Sequence, residues 1–125
     1  MNGKILVVDD SMTARKLVAD YLKEQGCEVI EAVDGKDGLS KAEENKDLGL
    51  IFSDINMPWM SGLEMVSEIK KIPELAKIPI CMLTTESGTE SVSEAKTLGV
   101  DAFLVKPVQT EQLQLVIEGY LGSAS

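Results

Sequence analysis

Five short, β-prone runs, each followed by a longer amphipathic segment, restrict this chain more than any other feature. Ile5-Leu6-Val7-Val8 is continuous, rich in β-branched residues and of strand length. It ends at Asp9-Asp10, after which Ser11 can cap a helix that places Ala14, Leu17, Val18, Tyr21 and Leu22 on one face. Gly26 stands where that helix should stop. Glu28–Ala32 reads as a second strand, Asp34-Gly35 as a turn, and the segment with Leu39 and Ala42 as a second helix. Leu50–Asp54 is the third strand, and a loop with Pro58 and Gly62 leads to a helix carrying Leu63, Val66 and Ile69. Ile80–Thr84, opened by Pro79, is the fourth strand; Val92, Ala95 and Leu98 mark a helix that stops at Gly99. Ala102–Lys106 is the fifth strand, and Thr110 caps a last helix with Leu113, Val116, Ile117, Tyr120 and Leu121 on one face. Residues 122–125 read as a frayed end.

Five strands alternating with five helices predict an α/β fold, a parallel sheet with helices on both faces. At 125 residues, the chain suits one domain, residues 1–125, with one core. No apolar run is long enough to span a bilayer, and the apolar stretch after Lys4 is too short for a secretory signal. These features point to the cytoplasm. Cys27 and Cys81 form no paired or metal-binding pattern and read as small buried hydrophobes. A net charge of −9 disfavours nucleic acid and anionic membranes as partners and favours proteins. The chain has no histidine, which removes histidine catalysis and self-phosphorylation on histidine.

Ligands of such sheets bind beyond the carboxyl ends of the strands. There stand Asp9 and Asp10, Asp54, Thr84 and Lys106. Three carboxylates gathered at one edge repel each other unless cations compensate. Lys106 supplies one positive charge, and a hard divalent ion held by oxygens, Mg2+ or Mn2+, supplies the rest. Each residue alone has an ordinary reading: Asp10 as a cap, Thr84 as a β-branched strand residue, Lys106 as a solvated strand end. Their coincidence at one edge is what weakens those readings.

The ordered set Val7-Val8-Asp9-Asp10, Asp54-Ile55-Asn56-Met57-Pro58 with Gly62, Thr84-Thr85-Glu86 and Phe103-Leu104-Val105-Lys106-Pro107 resembles the receiver domain of bacterial response regulators, in its single-domain chemotaxis form. The resemblance covers nearly the whole chain. It implies a flavodoxin-like, doubly wound sheet of order 2-1-3-4-5, an order carried over from the family. It implies that Asp54 accepts a phosphoryl group, with Mg2+ held by Asp10, Asp54 and the backbone carbonyl of Asn56, and by Asp9 largely through water. Lys106 and Thr84 would contact phosphoryl oxygens, and Pro107 would follow a cis bond that aims Lys106 inward. Asn56 and Glu86 match the chemotaxis-type pair that tunes phosphoryl lifetime, implying a short one. Phe103 reads either as a core aromatic or as the switch that moves inward on phosphorylation, without the hydroxyl of the commoner tyrosine. Thr85 is bulkier than the usual residue there and would narrow access to the acyl phosphate. Trp59, where the family more often has a polar residue, reads as a partner contact or as packing over the loop.

The implied partners are a histidine kinase as phosphodonor and a protein target, the flagellar motor switch first, reached through the face of the fourth helix, fifth strand and fifth helix. A phosphorelay intermediate outside chemotaxis is the nearest alternative, and a receiver that binds its partner without phosphate is another. A flavodoxin-like redox carrier or an aspartyl phosphatase would share the sheet, but the chain lacks a phosphate-cradling Ser/Thr loop after the first strand and the spaced DxD pair. No output domain is expected after the fifth helix, so output is expected through protein contact, and turnover of a separate substrate is not expected.

Overall fold

A computed structural model describes residues 3–57, 59–85 and 89–122. The chain runs β1 (Lys4–Val8), α1 (Met12–Glu24), β2 (Glu28–Ala32), α2 (Gly35–Glu44), β3 (Leu50–Asp54), α3 (Gly62–Lys70), α4 (Pro73–Ala76), β4 (Ile80–Thr84), α5 (Thr89–Leu98), β5 (Ala102–Val105) and α6 (Thr110–Leu121). The five strands form one parallel sheet of order β2-β1-β3-β4-β5.

The two-residue period of the strands divides the core into two layers. Ile5 and Val7 of β1, Leu50 and Phe52 of β3, and Cys81 and Leu83 of β4 face α1 and α6, where Val18, Leu22, Leu113 and Ile117 meet them. Leu6 and Val8, Ile51, Ile80 and Met82 face the other way, onto Ala42 of α2, Met65, Val66 and Ile69 of α3, and Ala95 of α5. A strand buried on both sides cannot alternate with polar residues, and this is why β1, β3 and β4 are almost continuously apolar. Cys27 and Cys81 are buried and unbridged, and burial pushes the Cys81 thiol up to about 12.

Several local details differ from the sequence reading. The described residues form six helices rather than five: Pro73 opens the single turn α4, which buries Leu75. One turn is too short to show a helical period. In α1 the buried residues are Val18, Ala19 and Leu22, whereas Leu17 is half-exposed. Leu17 lines a groove of about 450 Å3 between α1 and the β5–α6 loop. β5 ends at Val105, one residue before Lys106. The residue before the last helix is Gln109, whose N–H donates to Gln112 Oε1 at 3.4 Å; Thr110 is the first helical residue. Tyr120 is partly exposed and its hydroxyl donates to the Asp101 carbonyl at 3.0 Å.

Chain order reverses across β1 and β3: the path goes from β1 outward to β2 and from β3 outward to β4. The crevice beyond their carboxyl ends is where such sheets open to ligands. Val8 pairs with both Ala32 and Ser53, so one further residue brings Asp9 and Asp54 side by side.

Candidate functional site

Asp9 follows β1 with its side chain almost wholly buried and each of its polar groups engaged. Its N–H donates to the Ala32 carbonyl at 3.1 Å. Its Oδ1 accepts from the Ser11 N–H at 2.9 Å, and Oδ2 from Lys106 Nζ at 2.9 Å. Its carbonyl accepts from Arg15 Nη1 at 2.9 Å. Ser11 also caps α1, its hydroxyl accepting from the Ala14 N–H at 3.3 Å, so one residue starts the helix and holds the aspartate.

Asp54 closes β3. Its Oδ1 accepts from the Ile55 N–H at 2.8 Å, and its Oδ2 lies 3.3 Å from Lys106 Nζ. Its carbonyl accepts from the Ser53 hydroxyl at 2.8 Å. That carbonyl is also why residue 62 is glycine: a Cβ at Gly62 would run into it and would meet Met82 Cε at 2.8 Å. Ser61 and Glu64 then start α3 with reciprocal side-chain caps of 3.2 and 3.1 Å.

Lys106, which follows the edge strand β5, bridges the two aspartates. Its N–H donates to the Thr84 carbonyl at 2.7 Å, extending the β4–β5 pairing by one bond, and the Lys106–Pro107 bond is cis, as the resemblance implied. Burial alone would lower the lysine pKa, but the hydrogen bond to Asp9 and the charges of Asp54 and Asp9 carry it above its ordinary value. Lys106 is therefore an ammonium at neutral pH. Asp54 moves upward too: burial is the main cause, the Asp9 charge adds to it, and Lys106 only partly offsets it.

Asp9, Asp10 and Asp54 each offer a carboxylate oxygen within 4.8 Å of the others, with Asp10 exposed, Asp54 half-buried and Asp9 buried. An all-oxygen, three-acid donor set of graded exposure fits a hard divalent ion that keeps part of its water shell. Lys106 supplies one positive charge against three negative ones, which is the electrostatic reason for such an ion.

Thr84 is buried, and its hydroxyl donates to the Thr85 carbonyl at 3.2 Å. Phe103, opposite Met82 on β5, is half-buried and packs on the layer under α3 and α5. Thr85 and Asn56 are exposed. Trp59 is 88% exposed and stands at φ 69°. Glu86 and Pro58 lie outside the described residues. Sequence reading missed Arg15 and Glu31, joined Nε to Oε1 at 2.9 Å. The available signals were a glutamate inside a strand and a cation four residues into a helix, near the end where the dipole favours anions.

A parallel sheet with three acids and a lysine meeting at its switch point defines the receiver class, and residues 5–118 match the response regulator receiver domain model. The chain belongs to that family, which places it in two-component signalling. Its likeness runs to the chemotaxis members: it is 38% identical to chemotaxis protein CheY1 of Helicobacter pylori over 96% of this chain and 98% of that one. The crystal structure of the chemotaxis response regulator CheY4 of Vibrio cholerae superposes with a TM-score of 0.88 at 38% identity, covering 96% and 99% of the two chains. The receiver domain of the sensor histidine kinase PA1611 of Pseudomonas aeruginosa, solved with magnesium in its active-site cleft, has the same fold, with a TM-score of 0.89 at 24% identity over 98% and 100% of the chains. No helix among the described residues is long and apolar enough to cross a membrane.

Proposed function

We propose that Asp54 accepts a phosphoryl group from a phosphohistidine of a partner kinase, and that the modified domain signals to a protein target in a chemotaxis pathway. The observation that carries this reading is Lys106 Nζ lying 2.9 Å from Asp9 and 3.3 Å from Asp54, beside a third carboxylate. A carboxylate oxygen of Asp54 attacks phosphorus. The new O–P bond forms as the P–N bond breaks, and the donor imidazole leaves with the electron pair and takes up a proton. Lys106 compensates charge on one phosphoryl oxygen. The Thr84 hydroxyl turns from the Thr85 carbonyl to donate to another. Ile55 N–H holds the non-attacking carboxylate oxygen in place.

Asp9, Asp10, Asp54 and the backbone carbonyl of Asn56 would hold Mg2+, for which Mn2+ would substitute. When bound, that ion neutralises charge on the transferring oxygens, where most of the catalysis of phosphoryl transfer lies. The magnesium in the PA1611 receiver supports the choice of ion.

Rotation of Thr84 towards phosphate leaves room beside β4 for Phe103, which is only half-buried. The α5–β5–α6 face, with Val105 and Tyr120 exposed on it, then changes shape for the target, with the flagellar motor switch as the leading candidate. Phosphate and target each raise affinity for the other, because both favour one state. Intact-mass measurement after incubation with Mg2+ and acetyl phosphate tests the acceptor. One phosphoryl adduct is expected on the native protein and none on Asp54→Asn; an equal adduct on the variant removes Asp54 from the role.

A further inference from the structure

Beside the pocket, Arg15 donates to a backbone carbonyl of the acid pair: Nη1 reaches Asp9 O at 2.9 Å. Its Nε is fixed by Glu31 Oε1 at 2.9 Å, and both side chains are largely buried, at 11% and 20% exposure. Glu31 is held in turn by Lys16 at 2.9 Å and Lys23 at 3.7 Å. The carbonyl that Arg15 grips belongs to the peptide joining Asp9 to Asp10. That unit is planar, so fixing its oxygen fixes the direction in which the chain enters Asp10. Asp9 has other restraints through Ser11, Ala32 and Lys106. Asp10 is exposed, and its approach to the other two carboxylates depends on that peptide plane. Arg15 is the fourth residue of α1, near the end where the helix dipole favours anions over cations.

We infer that Arg15, braced by Glu31 across the α1–β2 gap, is a positioning residue that holds the Asp9–Asp10 peptide so that both carboxylates converge with Asp54 on a divalent cation. This rests on the reading of the acid cluster as a cation site. The strut contributes direction rather than charge, because its guanidinium spends its two bonds on a carbonyl and on a glutamate outside the cluster. Outer groups that orient metal ligands change affinity by about ten- to a hundredfold when lost.

Calorimetric titration of the folded chain with Mg2+, beside thermal unfolding in its absence, tests the inference. Arg15→Leu keeps the apolar stem and is expected to weaken Mg2+ about tenfold, and Glu31→Gln, which leaves the arginine in place, by a smaller factor. Lys71→Gln, which breaks an exposed ion pair with Glu68 and touches neither Glu31 nor Asp9, is expected to bind as the native protein does. Raising Mg2+ restores the acetyl phosphate reaction of Arg15→Leu, as a defect in metal positioning requires. Native Mg2+ affinity in both Arg15→Leu and Glu31→Gln overturns the inference and leaves the cation site standing. Absence of Mg2+ binding by the native chain overturns both. If Arg15→Leu does not fold, Glu31→Gln decides alone, an unchanged affinity counting against the strut. A role confined to stability lowers the melting temperature but leaves affinity unmoved.

Discussion

The two flanks of the acidic pocket are built in opposite ways. On the β1 flank, Asp9 is buried and every polar group it has is engaged, by Ser11, Ala32, Arg15 and Lys106. On the β3 flank, the chain leaves Asp54 through exposed Asn56 to an indole that is 88% exposed. One flank is a fixed template for charge, and the other is an accessible rim. Such a division suits a site that must hold an ion in one geometry while admitting a bulky donor, since positioned groups gain from rigidity and partner contacts from access.

The largest effect should come from removing the cation that ties the flanks together. Lys106→Met leaves Asp9 buried and uncompensated. A loss of about 2–3 kcal/mol in urea unfolding is expected, below the full value for a buried pair because the lysine is partly solvated. A loss within about 0.5 kcal/mol would mean that the fixed flank does not depend on this pair.

How far this site could be read from sequence follows from the same contrast. Asp9, Asp54, Thr84 and Lys106 were legible because an apolar run that stops in a polar residue marks a strand end, and all such ends of a parallel sheet lie at one edge. The order 2-1-3-4-5 came with the resemblance, and the sheet has it. The Arg15–Glu31 link was not legible, because periodicity places residues on faces but does not pair a helix charge with a strand charge sixteen residues away. Leu17 fell on the apolar face by spacing, yet it borders the groove, because α1 meets the sheet turned towards Val18 and Ala19. The turn at Pro73 carried only a proline and an acidic residue as signal, too little to register as a helix.

The next effect is electrostatic and pH-dependent. Asp54 has its pKa raised in the fold, chiefly by burial. A raised carboxylate stabilises the fold below its unfolded value near 3.8 and loses that contribution as pH rises through the folded value. Its ionised form at pH 7 is thus a liability in the metal-free protein. Asp54→Asn should stabilise metal-free protein at pH 7 by of order 1 kcal/mol after screening, and the gain should vanish below pH 4. Thermal unfolding across that range checks it. Adding Mg2+ should stabilise the native chain more than the variant and reverse their order. A gain that persists unchanged in acid would place its cause outside the charge cluster.

The smallest effect concerns the open rim. Trp59 sits at φ 69°, a region where side chains with a Cβ are disfavoured, and its exposure returns little burial. Trp59→Asn should therefore raise stability by about 0.5 kcal/mol, since asparagine tolerates this conformation. The same variant should leave acetyl phosphate labelling unchanged while slowing transfer from a phosphohistidine protein. Equal slowing with both donors would move Trp59 from the rim into the pocket's own chemistry.

The position of that indole has a practical side. It is the only tryptophan in the chain, five residues beyond the proposed acceptor. Light absorbed near 295 nm by the unlabelled protein therefore excites a single fluorophore bathed in solvent, in the loop between β3 and α3. Its emission offers a native optical gauge of changes in that loop, free of background from the rest of the molecule.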